Sequence, residues 1–267
     1  MGATASDAIE QPILLREARD GITTLTLNRP RQHNPLSSEM LSELQQALDD
    51  IARDDSIRVI IIASQGKAFC AGHDLKQMRS SEDRAFHQAL FEQCSRMMLT
   101  INQISKPVIA QVNGIATAAG CQLVAACDLA VASEESRFAV SGINLALFCS
   151  TPAVPLSRNL SRKQAMHMLL TGDFIDAQTA RDYGLVNQVV ADDELETATR
   201  AMAQKIVAKS PLAISLGKQM FYQQLNMDLA EAYEFAGERM TCNMDSEDAR
   251  EGFDAFIEKR KPKWSGR

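Results

Sequence analysis

No apolar stretch in this chain approaches the roughly 18 residues that a membrane-spanning helix needs. The longest candidate, Val59 to Ala63, has the length of a β-strand. Basic charge is in short supply. Lys and Arg number 28 against 34 Asp and Glu, for a formal net charge of −6. That argues against a broad nucleic-acid-binding face, though a local basic patch could hold a small phosphorylated ligand. Met1 to Gln11 lacks the basic and apolar regions of a secretory signal, and lacks the arginines of a transit peptide. Met1-Gly2 with Ser6 formally matches a myristoylation pattern; a short disordered start is the simpler reading. The six cysteines, Cys70, Cys94, Cys121, Cys127, Cys149 and Cys242, fit no zinc spacing. They are expected as reduced thiols in a cytoplasmic protein. No metal or redox cofactor is implied.

What is present suits a soluble globular chain. Of 267 residues, 45% are hydrophobic and 23% charged, enough for one large domain or a domain with a helical appendage. Ile13 to Leu15 and Ile22 to Leu27 read as a hairpin turning at Asp20-Gly21. Ser37 or Ser38 caps a helix with Met40, Leu41, Leu44, Ala47, Leu48 and Ile51 at helical spacing. Arg58 to Ala63, Val108 to Val112 and Leu129 to Ala132 read as buried strands. Gly66 to Leu75 reads as a loop, Ser81 to Ile104 as a long amphipathic helix, and Ala118 to Cys127 as an apolar one. This alternation argues for an α/β core. After about residue 160 the pattern turns helical, with Leu185 to Val190 as a lone strand.

Two turns carry chemical interest. Lys67-Ala68-Phe69-Cys70-Ala71-Gly72-His73-Asp74-Leu75 follows a buried strand. Asn113-Gly114-Ile115-Ala116-Thr117-Ala118-Ala119-Gly120-Cys121-Gln122 follows another and opens a helix. Small residues let a second backbone or a ligand approach closely. The first amides of a helix are unpaired and suit a developing anion. Taken singly, each is also an ordinary tight turn.

Together and in this order they resemble the crotonase (enoyl-CoA hydratase/isomerase) superfamily. The resemblance rests on Phe69, Ala71, Gly72, Asp74 and Leu75, then Pro107 to Ala110, Val112-Asn113-Gly114 and Ala118-Ala119-Gly120. Asn28-Arg29-Pro30, Asn34-Pro35-Leu36, Cys127-Asp128, Leu170-Thr171-Gly172 and Glu251-Gly252-Phe253 extend it over about residues 12 to 264. It implies a ββα spiral core over 12–195, a flexible start over 1–11 and a helical trimerisation region over 196–267. It implies an acyl-CoA partner and a homotrimer or dimer of trimers. The amides of His73 and Ala119 take the place of the family's oxyanion hole. Arg31, Gln32 and Lys67 resemble the CoA-phosphate edge, and Ala71, Asp74 and Leu75 the pantetheine path. Phe256 and Lys259 stand where a neighbouring subunit completes the nucleotide site. Asp74 is also expected to bond turn amides.

The chain departs from the family at two places. The hydratase glutamates fall at Gln122 and Gly142. Gln cannot exchange a proton near neutral pH, and Gly has no side chain. Proton transfer of this kind is worth about 10²–10⁴-fold per group, so efficient hydration is not expected. Cys149 and Ser150 near the pocket floor, Cys121, and His87 and Glu92 on the long helix are weak substitutes. Three readings follow: a thioester-directed lyase or isomerase, an acyl-CoA hydrolase or decarboxylase, and a non-catalytic acyl-CoA-binding protein. Glutamate restored at 122 and 142 is expected to raise hydration if only the acid–base pair is missing.

Overall fold

A computed structural model describes residues 11–267; the expectations for the first ten residues lie outside that range. The chain opens on strands β1 (Leu14–Arg19) and β2 (Ile22–Leu27). They pair antiparallel from Leu14↔Leu27 to Arg19↔Ile22. Asp20 and Gly21 both take positive φ, 55° and 75°, as a two-residue hairpin of this twist demands. Helix α1 (Ser38–Ala52) is capped by Ser37, whose side chain accepts from Met40 N, and its buried stripe is the one its spacing predicts.

Three ββα turns follow. The first is β3 (Val59–Ser64), β4 (Ala68–Cys70), then α2 (Leu75–Arg79) and α3 (Arg84–Gln103). The second is β5 (Val108–Val112), β6 (Ile115–Thr117) and α4 (Ala119–Ala126). The third is β7 (Leu129–Ser133), β8 (Arg137–Ala139), a 3-10 turn over Ser141–Leu145, and α5 (Ser150–Asn159). Each turn sends a long strand to one sheet and a short strand to another. The larger sheet has the order β1-β2-β3-β5-β7-β10, where β10 is Gln188–Val190, and it is parallel beyond the hairpin. The smaller has the order β4-β6-β8-β9, where β9 is Ile175–Asp176. The segment expected as a loop, Gly66 to Leu75, therefore contains a strand: Ala68, Phe69 and Cys70 are all buried.

One face of the larger sheet presents Leu25, Ile60, Ile62, Val108 and Ala132 to the main core, with Met97, Leu123 and Val124 from the helices. Its other face, with Ile22, Val59, Ile61, Ile109 and Val131, is covered by Leu195 and Ala203 of α8 (Leu195–Val207). Before α8 come α6 (Arg162–Thr171) and α7 (Ala177–Tyr183); after it come α9 (Pro211–Gln224), α10 (Leu229–Met244) and α11 (Glu247–Ile257). Helix α9 is pinned to the core through Asp128. Lys218 Nζ reaches Asp128 Oδ2 at 2.6 Å and Tyr222 donates to Oδ1 at 2.8 Å. Lys218 also donates to the carbonyls of Ile101 and Lys106. Among the described residues no helix is long and apolar enough to cross a membrane.

Candidate active site

The two turns singled out in the sequence meet in space. Gly72, at φ 93°, lies so close to the second turn that a Cβ there would sit 2.9 Å from Ala118 Cβ and 3.2 Å from Ala119 N. A Cβ on Gly120 would overlap the carbonyl oxygen of Cys70. Small residues are therefore required on both sides of the contact, by sterics. Loop Ala71–Asp74 is held from its other side as well: Ala71 N donates to His33 O at 3.0 Å, and Leu36 N to Gly72 O at 2.8 Å.

Ala118 leads into α4 with φ 50° and ψ −119°, a conformation that favours glycine. Its amide is tied to Ala139 O at 3.0 Å, and the next amide, Ala119 N, opens the helix. Among the described residues neither His73 N nor Ala119 N has an acceptor in the protein. Two unpaired amides thus stand on segments in contact, one of them at a helix start. That arrangement can stabilise negative charge on a single oxygen.

The His73 ring is largely buried and held by one hydrogen bond. Its Nδ1 lies 3.2 Å from Leu36 O; a carbonyl only accepts, so Nδ1 carries the proton. Nε2 is buried without a partner. The ring meets Phe91 edge-on at 5.6 Å. Burial lowers its pKa below 6.5, so it is neutral at pH 7. This favours the reading in which the side chain rides on a position used for its amide.

The positions of the family glutamates are buried and uncharged. Gln122 is 3% exposed, and its Oε1 has no partner among the described residues. Gly142 sits in the turn Ser141–Leu145, which Thr117 Oγ1 joins to β6 through Ser141 Oγ at 2.8 Å. A Cβ on Gly142 would meet Leu147 O and Cys149 Sγ, each at 2.7 Å. The first of these is backbone and cannot swing aside. The expectation that glutamate could be restored at both positions is therefore corrected: the turn as it stands has no room for a side chain at 142. Burial raises the thiol of Cys149 and pushes that of Cys121 up to about 12, so both stay protonated at neutral pH.

The remaining predicted residues fall in three places. Arg31 and Gln32 are exposed on the turn Pro30–Gln32, and Lys67 is exposed on the turn after β3. Pro30 packs where a Cβ of Gly66 would stand, at 2.6 Å, so the three polar side chains share one edge. Ala71 is half-buried and Leu75 is 57% exposed. Asp74 caps α2, accepting from Lys76 N at 2.9 Å and Gln77 N at 3.1 Å; the expected structural role is present. Phe256, 84% exposed, and Lys259 lie apart, at the end of α11. His87, expected as a surface residue, is half-buried and its Nε2 meets Met78 O at 2.9 Å, bracing α2 against α3. A cavity of about 430 Å³ lies at Glu247, Glu251, Arg260 and Lys263; it does not reach the two loops. Ala118 and Asn34 were not singled out as functional from sequence. The first had no signal beyond a small-residue run, and the second only its place in Asn34-Pro35-Leu36.

Comparison with known proteins identifies the family. The family pattern described as enoyl-CoA hydratase/isomerase matches residues 17–267. The chain is 47% identical to enoyl-CoA hydratase domain-containing protein 3, mitochondrial, of Mus musculus, over 92% of this chain and 82% of that protein. Its fold superposes on an enoyl-CoA hydratase of Mycobacterium smegmatis with TM-score 0.93 and 53% identity, covering 95% of this chain and 99% of the other. The human enoyl-CoA hydratase domain-containing protein 3 superposes with TM-score 0.92 and 45% identity, covering 95% and 100%.

Proposed function

Since this chain belongs to the enoyl-CoA hydratase/isomerase family, we propose that it binds an acyl-CoA and polarises the thioester carbonyl between the amides of His73 and Ala119. The observation that carries this reading is the seating of Gly72 against Ala119 N, with both amides unpaired. As a thioester becomes an enolate or tetrahedral anion, charge gathers on one oxygen. Fixed amides in a dry site stabilise it by several kcal/mol, about 3 for each donor. Arg31, Gln32 and Lys67 would hold the CoA phosphates at the shared edge. Ala71, Asp74 and Leu75 would flank the pantetheine, where Asp74 serves by capping α2. Phe256 and Lys259 would act on a neighbour's nucleotide in a homotrimer or dimer of trimers. Cytoplasm is the proposed compartment; the mitochondrial label belongs to the mouse relative.

Hydration by a carboxylate pair is not open to this site. Crotonyl-CoA hydration, followed by loss of absorbance, is expected to run at least about 10³-fold below a glutamate-bearing hydratase, with acyl-CoA binding retained. A rate equal to that of such a hydratase would overturn the reading.

A second reading is favoured by the lack of a carboxylate at positions 122 and 142. Removal of two carboxylates leaves nothing there to repel an acyl group that carries its own carboxylate. Loss of CO₂ from such a group would deliver its electron pair to the thioester enolate without an enzyme base. The enolate then takes a proton from water; release of CO₂ from an α-carboxyacyl-CoA, a malonyl-type thioester, would support that reading, and none would sink it.

A further inference from the structure

Asn34 has no exposed surface, and its side chain ties the turn at residues 29–34 to the turn at residues 65–68. Its Oδ1 accepts from Arg29 N at 2.8 Å. Its Nδ2 donates to Gln65 O at 2.9 Å and to Ala68 O at 2.8 Å. The assignment of oxygen and nitrogen is unambiguous, because an amide N–H lies on one side and two carbonyls on the other. The residue takes φ 52°, which Asn tolerates better than most residues. Directly beyond it, the same strip meets the oxyanion loop. His33 O accepts from Ala71 N at 3.0 Å and Leu36 N donates to Gly72 O at 2.8 Å. Leu36 O holds the His73 ring at 3.2 Å.

We propose that Asn34 is a positioning residue: its carboxamide sets the register of strip 29–36 against segment 65–73, and so fixes where the His73 amide points. The proposal rests on the oxyanion-hole reading above. Distance decides why register matters. A slip of one residue along an extended segment moves an amide by about 3.3 Å. A useful donor must stand about 2.7–3.1 Å from the oxyanion. One slip therefore removes the donor entirely, and it also displaces Arg31, Gln32 and Lys67, which lie on the same two segments. Asn34 touches no reacting atom; it acts through residues 33 and 36.

The test uses the full chain with butyryl-CoA, which has no double bond to hydrate, and free CoA. Wild-type protein is expected to lower the thioester carbonyl stretch on binding, read by infrared difference spectroscopy. No lowering in the wild type would sink the oxyanion-hole reading itself. Asn34→Asp keeps shape and tolerance of positive φ but turns an oxygen toward the two carbonyls. Asn34→Gly keeps the backbone and deletes the bonds. Both are expected, at saturating butyryl-CoA and with free CoA as the spectral blank, to lose at least about half of the carbonyl shift. The shift is read on bound thioester, so a loss of CoA affinity alone does not move it, and a full carbonyl shift in either folded variant would overturn the proposal. Hydrogen exchange of the wild type gives a measurement that needs no variant. The Arg29 amide, whose acceptor is Asn34 Oδ1, should exchange as slowly as the amides of β3, and rapid exchange there would refute the latch.

Discussion

Two single residues set the local energetics of the site, and each makes a measurable claim. Ala118 holds φ 50° with a Cβ, a conformation costing about 1–2 kcal/mol in an L-residue. Ala118→Gly removes that cost and gives back about 0.4–1 kcal/mol through the freer unfolded chain. The net is expected to be neutral to slightly stabilising in thermal unfolding; a loss above about 1 kcal/mol would show that Ala118 is not strained. Gly142 works in the opposite sense. Its missing Cβ would press on Leu147 O and Cys149 Sγ, so Gly142→Ala is expected to cost about 1–3 kcal/mol. Gln122→Glu is the separable half of the old pair. It should raise crotonyl-CoA hydration only modestly, because one carboxylate restores only one of the two groups that hold and activate the water. If Gly142→Glu folds with unchanged stability, the closed-turn argument fails.

At the scale of elements, what could be read in advance depended on length and on distance along the chain. The strands of the larger sheet carry β-branched runs, such as Val59 to Ile62, and were legible. Strands β4, β6 and β8 have three residues each, and β9 has two, too few to show a period. Helix α5 contains Pro152 and Pro155, which disguise a helix as a loop. The two turns of the site were legible because each matches a family pattern locally. The brace by Asn34 was not, since its carbonyl partners lie 31 and 34 residues away. Long-range polar pins of the same kind fix the helical arm. Lys218 is 6% and Asp128 15% exposed at the side chain, so removing one partner strands the other. Asp128→Asn is expected to cost about 3 kcal/mol or more. Combined with Lys218→Met it should cost less than the sum of the singles, by about 1 kcal/mol or more in a double-mutant cycle. Strict additivity would show that the pair is not coupled.

The C-terminal tail offers a reporter of the next level, because Trp264 is the only tryptophan in the chain. Its indole N–H donates to Ala208 O at 2.8 Å. Glu251 holds the segment before it, binding Arg260 through both oxygens and accepting from Lys263 N. Arg260, first, and the Lys263 amide pull the Glu251 pKa from 4.5 down to about 2. A carboxylate depressed on folding stabilises the fold above its usual pKa, and that contribution fades as pH falls from about 4.5 through about 2. Trp264 emission should therefore shift red across that window. Glu251→Gln should already loosen the tail at neutral pH. Emission that is identical in the variant and flat down to pH 2 would refute the latch.

Among the described residues a long apolar surface is left bare. Leu229, Tyr233, Met240 and Met244 fall on one stripe of α10, between 47% and 75% exposed, and Phe221 and Leu225 of α9 are more than half exposed. Single exposed apolar residues are ordinary, but a run along one helix marks an interaction face. A second copy of this chain is the occupant proposed, and the stripe is where a homotrimer would join. Leu229→Asp with Tyr233→Asp is expected to give a monomer by sedimentation. If Phe256 and Lys259 reach a neighbour's nucleotide, that monomer should bind butyryl-CoA about tenfold more weakly, since an aromatic anchor and a charge are lost together. Its affinity for the butyryl thioester of N-acetylcysteamine, which has no nucleotide, should stay unchanged, because His73 and Ala119 belong to one chain. A wild type that sediments as a monomer would sink the assembly. Undiminished binding of butyryl-CoA by the monomer would place the nucleotide contacts within the single chain, and equal weakening of both thioesters would show that the acyl site itself depends on assembly.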